Sequence, residues 1–392
     1  MNILNHLLDK SAEFKKITAA FEKNAFPIGI SGAADAQKAH LVSELCEHEN
    51  RPAFIITHSE QAAKRLYEDL RFFSERGCIY VPPRDIVLYE VEAADRKADN
   101  DRAYALSRLD GTAIGIASVE SFMQTVPDAE NLSSLRFVLR EGGKADLSEL
   151  SERLVKIGYT RVITVDSPGQ FAIRGGIADI FPPGADNGIR AEFFGDDIDS
   201  VRSFDCDTQL SIKRLEEAEI IPVRTAAEAS SLFSYIPKDT IIFFDEPLRI
   251  GEAAKAVEWE IGENIKTLAE KDVEIKNEKP INTYAEIMAE AEKRSLVGIS
   301  SLSAVFPDMP LRTDLSVTAK GMGGYSGNIE FLVEDLRRWL SEKYRIAILG
   351  GSSSRAAKIR EMLTAYEIKC IFAPQAEELS DEYITVVSGS IT

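Results

Sequence analysis

Short apolar runs alternate with amphipathic stretches along the first 125 residues. The runs at Phe26–Ile30, Ala53–Thr57, Cys78–Val81 and Ala113–Ala117 read as strands, and helical periodicity fills 35–49, 60–75 and 98–109 between them. That rhythm predicts a parallel sheet flanked by helices. It breaks near Leu135. From there to Pro222 strands and tight turns dominate, with one helix predicted at Leu147–Ile157, so an inserted α+β domain is expected. An apolar strand then runs from Ile241 to Phe244 into Asp245-Glu246-Pro247, followed by a long polar helical stretch and strand-like segments near Val297 and Val305. The last part has an α/β pattern of its own. It reads as strand Leu315–Thr318, helix Asn328–Glu342, strand Arg345–Leu349, a helix from Gly350-Gly351-Ser352 to Ala365, and strands Lys369–Phe372 and Tyr383–Val387. Gly321–Gly327 (GMGGYSG) is the most linker-like piece. The sequence stops just after a strand, with no closing helix, which reads as a partial domain. The expected divisions are 1–125, 126–222, 223–312 and 313–392.

Within the insert, Ser167–Asp205 reads as a small sheet with an unusual face. Strand runs Phe171–Phe181 and Ile189–Phe194 are separated by Pro182, Pro183 and Gly184 and by Asn187-Gly188, a hairpin signal. The second run alternates: Ile189, Ala191 and Phe193 fall on one side, Arg190, Glu192 and Phe194 on the other. Arginine and aromatic side chains anchor protein interfaces, which makes the second side a candidate docking surface. The alternative is that Phe194 covers a neighbouring strand. Gly175-Gly176 reads as a bulge that breaks the alternation, leaving open whether Arg174 shares a face with Arg190.

A strand, a glycine turn and a helix occur together at Gly29-Ile30-Ser31-Gly32-Ala33-Ala34-Asp35-Ala36. A phosphate loop of the GxxxxGK[ST] type needs glycine, lysine and a hydroxyl at its last three places; here stand Ala34, Asp35 and Ala36. No ammonium would meet a β- or γ-phosphate and no hydroxyl would hold magnesium. Asp35 suits a helix cap instead. Downstream, Ile241–Glu246 has the strand and two carboxylates, Asp245 and Glu246, of a magnesium and water-activating motif. Its partner loop has no lysine, so the pair reads as the remains of a nucleotide-binding fold kept as a scaffold. No catalytic or cofactor-binding residue is assigned.

Composition narrows the field. At 392 residues the chain exceeds one ordinary core, and a net charge of -18 with pI near 4.9 repels phosphate backbones. Nonspecific DNA binding is not expected. Cys46, Cys78, Cys206 and Cys370 show no metal-ligand spacing, and His6, His40, His48 and His58 form no HxxxH or HExxH arrangement. Neither a metal site nor a zinc or triad enzyme is expected. No apolar run approaches the roughly 20 residues that span a bilayer, so the reading is a cytoplasmic, soluble chain without membrane contact.

The segments GQFAIRGGIADIFPPG, IRAEFFGDDIDSVRSFD and TQLS, between Pro168 and Ser211, closely resemble the module shared by the excision-repair subunit UvrB and the bacterial transcription-repair coupling factors. The degenerate loop at Gly29–Ala36 and SYIPKDTIIFFDEP (Ser234–Pro247) fit the same resemblance. Three features favour the coupling factors. The loop is dead; YVPPRDIVLYEVEAADRKADNDR (Tyr80–Arg102) leaves no room for the long DNA-clamping hairpin of UvrB; and FLVEDLRRWL with YRIAILGG resembles the family's third domain. The resemblance implies a degenerate RecA-like domain split by a UvrA-binding insert, then a small α/β domain. It places the docking role on Arg174, Arg190 and Phe194, with a salt bridge inside the sheet as the alternative for Arg174. In the family the polymerase-binding module and the ATP- and Mg2+-dependent DNA motor lie beyond the stretch that Thr392 would close, and a further domain masks the UvrA face until the motor engages. The implied partner is UvrA, with RNA polymerase and DNA reached only through those other regions. Two rivals stand against this: a nucleotide-dependent UvrB-like DNA-processing enzyme using Asp245 and Glu246, and a UvrB-like DNA-binding module.

Overall fold

The computed structural model describes the chain except for residues 1–3, 5–6, 87, 89–95, 224–229, 276–278, 303–305, 307, 320–324, 326, 373–378 and 392. Most of the expected linker Gly321–Gly327, the strand-like segment near Val305 and part of the Tyr80–Arg102 stretch lie outside the described residues.

The first part runs α1 (Ala12–Glu22), β1 (Ile28–Ser31), α2 (Asp35–Glu49), β2 (Ala53–Thr57), α3 (Glu60–Phe73), β3 (Cys78–Val81), α4 (Arg96–Arg108), β4 (Ile114–Ser118) and α5 (Val119–Met123). The insert holds α6 (Ala129–Leu135), β5 (Phe137–Arg140), α7 (Leu147–Lys156), β6 (Thr160–Arg161), β7 (Gln170–Arg174), β8 (Ile177–Ile180), β9 (Gly188–Phe194), β10 (Asp197–Phe204), β11 (Ser211–Leu215) and β12 (Glu217–Ile220). The chain then returns through β13 (Ile241–Asp245), α8 (Pro247–Glu270), α9 (Tyr284–Ala291), β14 (Ser295–Ser300) and β15 (Thr313–Ser316). It ends with α10 (Ile329–Ser341), β16 (Ala347–Leu349), α11 (Ser353–Ala365), β17 (Cys370–Phe372) and β18 (Ile384–Val387).

The large sheet is parallel throughout, in the order β15-β1-β14-β13-β2-β4-β3. Its central strands are buried at every position and largely apolar because both faces of the sheet are covered. Phe54, Ile56, Ile242 and Phe244 pack on one side, and Ala53, Ile55, Ile241 and Phe243 on the other. Parallel pairing brings the carboxyl ends of β1, β13 and β14 to one edge, where Ser31 sits opposite Ser300 and Asp245 opposite Ile299. Crevices at such ends are where open α/β sheets place ligands.

Two expectations change here. The strand near Leu315 belongs to this sheet, since β15 pairs with β1 from Ile28↔Thr313 to Ser31↔Ser316, so a boundary at residue 313 cuts off an edge strand. Asp35 is not the helix cap: Ala34 occupies that position without a side-chain bond, and Asp35 opens the first turn of α2.

The insert leaves and re-enters beside itself, with Val126 bridged to Ser230. Its sheet runs β11-β10-β9-β8-β7-β6, with β5 and β12 forming a separate antiparallel pair. Asp146 caps α7 through the Ser148 and Glu149 amides, and the helix buries Leu150 and Leu154 against Phe171, Ala178, Ile180, Ala191 and Val201. The other face is partly closed by a smaller cluster, Val165, Ala172, Phe181 and Phe204. The apolar run Phe171–Phe181, expected as one bulged strand, is a hairpin. β7 and β8 pair without a register shift, from Phe171↔Ile180 to Arg174↔Ile177, and Gly175-Gly176 is their turn. The last domain is a parallel β16-β18-β17 sheet whose Ile384 and Val386 pack on Val333, Leu336, Ala356 and Leu363 of α10 and α11. Among the described residues no helix is long and apolar enough to cross a membrane.

Candidate functional site

The face of the insert's sheet away from α7, partly closed by Val165, Ala172, Phe181 and Phe204, is assembled from three strands. Register places Ile177 and Asp179 of β8 opposite Glu192 and Arg190 of β9, and Arg190 opposite Arg202 of β10. Arg174, paired with Ile177, joins the same face because the hairpin keeps the alternation in step. Arg174, Arg190 and Phe194 therefore lie on one side of the sheet.

Their chemistry differs. Asp179 is 1% exposed and gathers both arginines: Arg190 donates from Nε to Oδ1 (2.7 Å) and from Nη2 to Oδ2 (3.0 Å), and Arg174 donates from Nη2 to Oδ2 (2.8 Å). Arg190 is further held by the Gln209 carbonyl at 3.2 Å and stacks 4.6 Å from the centre of the buried Phe204 ring. Its fork is committed inside the domain. Arg174 keeps half of its side chain exposed and uses one nitrogen on Asp179, so its other donors face outward. The intrasheet salt bridge and the docking role are thus compatible for Arg174. Phe194 is 84% exposed and covers no neighbouring strand. It emerges beside the β7–β8 turn, where Phe193 N donates to the Gly176 carbonyl at 2.7 Å. Gly175 has φ +60°, and a Cβ on Gly176 would lie 2.8 Å from the Phe193 carbonyl oxygen, so the RGG sequence is a steric requirement of this corner. Asp179 was not singled out from the sequence; a carboxylate between Ala178 and Ile180 in an apolar strand run is the one readable signal, and its pairing with Arg190 comes only with the register.

The second candidate region is the crevice at the carboxyl ends of β1, β13 and β14, an open cleft of about 480 Å3. Its loop does not present amides to a phosphate. Gly32 N and Ala33 N both donate to the Ser300 carbonyl, at 2.9 and 3.3 Å, and Val317 O lies 2.3 Å from where a Gly32 Cβ would be. The acidic strand is closed too. Lys38, on the second turn of α2, is 4% exposed and sets its Nζ 2.7 Å from Asp245 Oδ1 and 2.7 Å from Glu246 Oε1. Glu246 is held at φ 61° and accepts from Ser301 N at 2.7 Å and from Ser300 Oγ at 3.0 Å. Ser301 Oγ donates to Asp35 at 3.2 Å. Burial alone would raise Glu246; Lys38 and the Ser301 amide outweigh it and hold the carboxyl down at about 2. Burial opposes the Lys38 ammonium, but the carboxylates prevail and raise it. Burial pushes Asp245 up, with Lys38 acting against that shift. Gly29, Gly32, Ala34, Asp35 and Ala36 therefore form a collapsed corner. These residues do not fit a magnesium nucleotide. Lys38 escaped the sequence reading because it stands three residues past the motif's lysine place.

Residues 137–225 match the UvrB interaction domain family. The match falls on the insert. Its boundaries take in the hairpin, Asp179 and all three docking candidates, together with the β5–β12 pair. This match sits in a wider likeness. The whole chain aligns at 23% identity with the transcription-repair-coupling factor of Bacillus subtilis, covering 39% of that protein. It aligns at 22% with the one from Staphylococcus aureus strain RF122 / ET3-1, again over the whole chain and 38% of the relative. Half of the chain aligns at 32% with the Myxococcus xanthus factor, covering 17% of it. The chain thus spans about two fifths of the length of the relatives it matches end to end.

Proposed function

We propose that this chain is a non-catalytic recruitment scaffold, the UvrB-like portion of a transcription-repair coupling factor, and that its insert docks UvrA where RNA polymerase has stalled at a lesion. The observation that carries this reading is the solvent-facing pair of Arg174 and Phe194 on a UvrB interaction domain, a charged donor and a desolvatable ring braced by buried residues. Arg174 supplies charge-assisted bonds to partner carboxylates, Phe194 supplies apolar area, and Arg190 holds the face from beneath. The collapsed loop and the Lys38-filled acidic pair support the absence of nucleotide chemistry in this stretch. On this reading ATP, Mg2+, DNA and RNA polymerase are handled by other parts of coupling factors, and the protein works in the cytoplasm.

The test is calorimetric binding to UvrA. Phe194→Ala and Arg174→Ala are each expected to cost about 2 kcal/mol in binding, roughly thirtyfold in Kd, with thermal unfolding unchanged for Phe194→Ala and only slightly lowered for Arg174→Ala. Full affinity in both variants would overturn the assignment of the face. A charge reversal at Arg190 is the poorer test, because it sets a second carboxylate against buried Asp179 and disturbs the fold. The rival enzyme predicts heat on mixing the chain with ATP and Mg2+, and the rival DNA module predicts a salt-sensitive mobility shift; the scaffold predicts neither.

A further inference from the structure

The acidic pair at the end of β13 is a cation site with its cation built in, and we propose that Lys38 is a resident replacement for a divalent metal, closing the cleft permanently to metal-bound nucleotide. The inference concerns the parallel sheet and stands or falls independently of what the insert docks.

A strand-end pair such as Asp245 and Glu246 concentrates negative charge in a desolvated place, and an uncompensated buried carboxylate is strongly destabilising. Either a proton or a cation must offset that charge, and here it is a cation. The Lys38 ammonium meets one oxygen of each carboxylate at 2.7 Å, with Asp35 Oδ1 a further 3.4 Å away. It reaches this position from α2, 207 residues from Asp245 in sequence, so it clamps the helix after β1 to the end of β13. Ser300 and Ser301 extend the clamp to β14 through Glu246. The amides of the glycine turn are turned away, onto the Ser300 carbonyl. The start of α2 and the ends of β13 and β14 are therefore tied together by groups of the chain itself. Such a sheet holds one shape without ligand, which suits a scaffold that presents an insert.

Lys38→Met keeps most of the side-chain volume and removes the charge. It is expected to shift the folding equilibrium by about a hundredfold or more toward the unfolded state in urea titrations. Adding Asp245→Asn and Glu246→Gln to Lys38→Met should restore much of that loss, because the carboxylates no longer need a partner. Should Lys38→Met fail to fold, recovery of a folded protein by the triple substitution supports the proposal in the same way. Mn2+ is the probe for the second half of the claim: it should bind and stabilise Lys38→Met and leave the wild-type chain unaffected. The proposal is overturned by a Lys38→Met protein as stable as wild type, by failure of the triple variant to regain stability, by Mn2+ binding to the wild-type chain, or by its failure to bind Lys38→Met.

Discussion

Removing the Asp179 carboxyl would leave the Arg190 guanidinium, only 16% exposed, without its bidentate partner among β-strands that offer it one carbonyl and one aromatic ring. Losing one member of a buried pair typically costs about 3 kcal/mol or more, whereas truncating the half-exposed partner Arg174 costs about 1 kcal/mol or less. Asp179→Ala is therefore expected to destabilise the insert far more than Arg174→Ala, measured by urea unfolding; equal losses would show that Arg190 does not depend on Asp179. Glu246 makes a prediction of a different kind. Its carboxyl, near 2 in the fold against an ordinary 4.5, stabilises the native state fully above pH 4.5, and that contribution fades as pH falls toward about 2. The groups facing it are Lys38 and Asp35 on α2, Asp245, His58 and Arg249, and Asp245 is shifted upward by burial. Glu246→Gln should flatten the acid limb of the stability curve below pH 4.5, and parallel curves for variant and wild type would refute this. Residues of this type are hard to read in a sequence. Alternation alone put Arg190 and Phe194 on one face, but it could not tell that Arg190 is spent on Asp179, and Lys38 gains its role from a contact that only the folded sheet creates.

At the scale of elements, the β7–β8 corner decides where Phe194 stands. Gly175 is needed for its left-handed backbone, and Gly176 for its closeness to the Phe193 carbonyl. Alanine at Gly175 strains the turn by about 1 kcal/mol but meets nothing within 4 Å. Alanine at Gly176 pushes on the very end of β9. Gly176→Ala should consequently weaken UvrA binding by more than its loss of stability explains, and Gly175→Ala should not; matching effects on binding would remove the corner from the mechanism. The same corner shows where element reading stops. Buried runs such as Ile241–Phe244 were legible because a strand covered on both faces has no polar positions, and the capped helix α7 because its amphipathic period is clear. A bulge and a two-residue turn both follow from Gly-Gly between apolar residues, and only cross-strand pairing separates them. Likewise the parallel pairing of β15 with β1, Ile28 against Thr313, joins segments 285 residues apart, a register with no local trace.

Across the whole molecule, three bodies of buried side chains are distinct: the two layers about the large sheet, the insert with its α7-covered face, and the small C-terminal sheet. The insert joins the large sheet where the chain leaves and returns, near Val126 and Ser230, and the Tyr235 hydroxyl donates to the Pro127 carbonyl there at 2.9 Å. Along α4 the Asn100 amide also donates to the Pro168 carbonyl at 2.8 Å and Arg136 donates to the Ser107 carbonyl at 2.6 Å, polar contacts between bodies that each keep a core of their own and can unfold separately. The chain offers a natural way to watch this, because both of its tryptophans lie outside the insert, Trp259 on α8 and Trp339 on α10. Tryptophan fluorescence is therefore silent for residues 137–225: Trp259, 70% exposed on α8, reports the large sheet through its anisotropy, and the partly buried Trp339 reports the C-terminal domain. Asp179→Ala should lower an unfolding transition seen by calorimetry or circular dichroism while the fluorescence transition stays where it is. Lys38→Met should do the reverse and move the fluorescence transition first. Such a split would mean that the face presented to a partner and the cleft that anchors it are stabilised independently, so docking can vary without disturbing the scaffold. If either substitution shifts every signal together, the domains unfold as one unit, and the insert's face depends on the clamp at Lys38 after all.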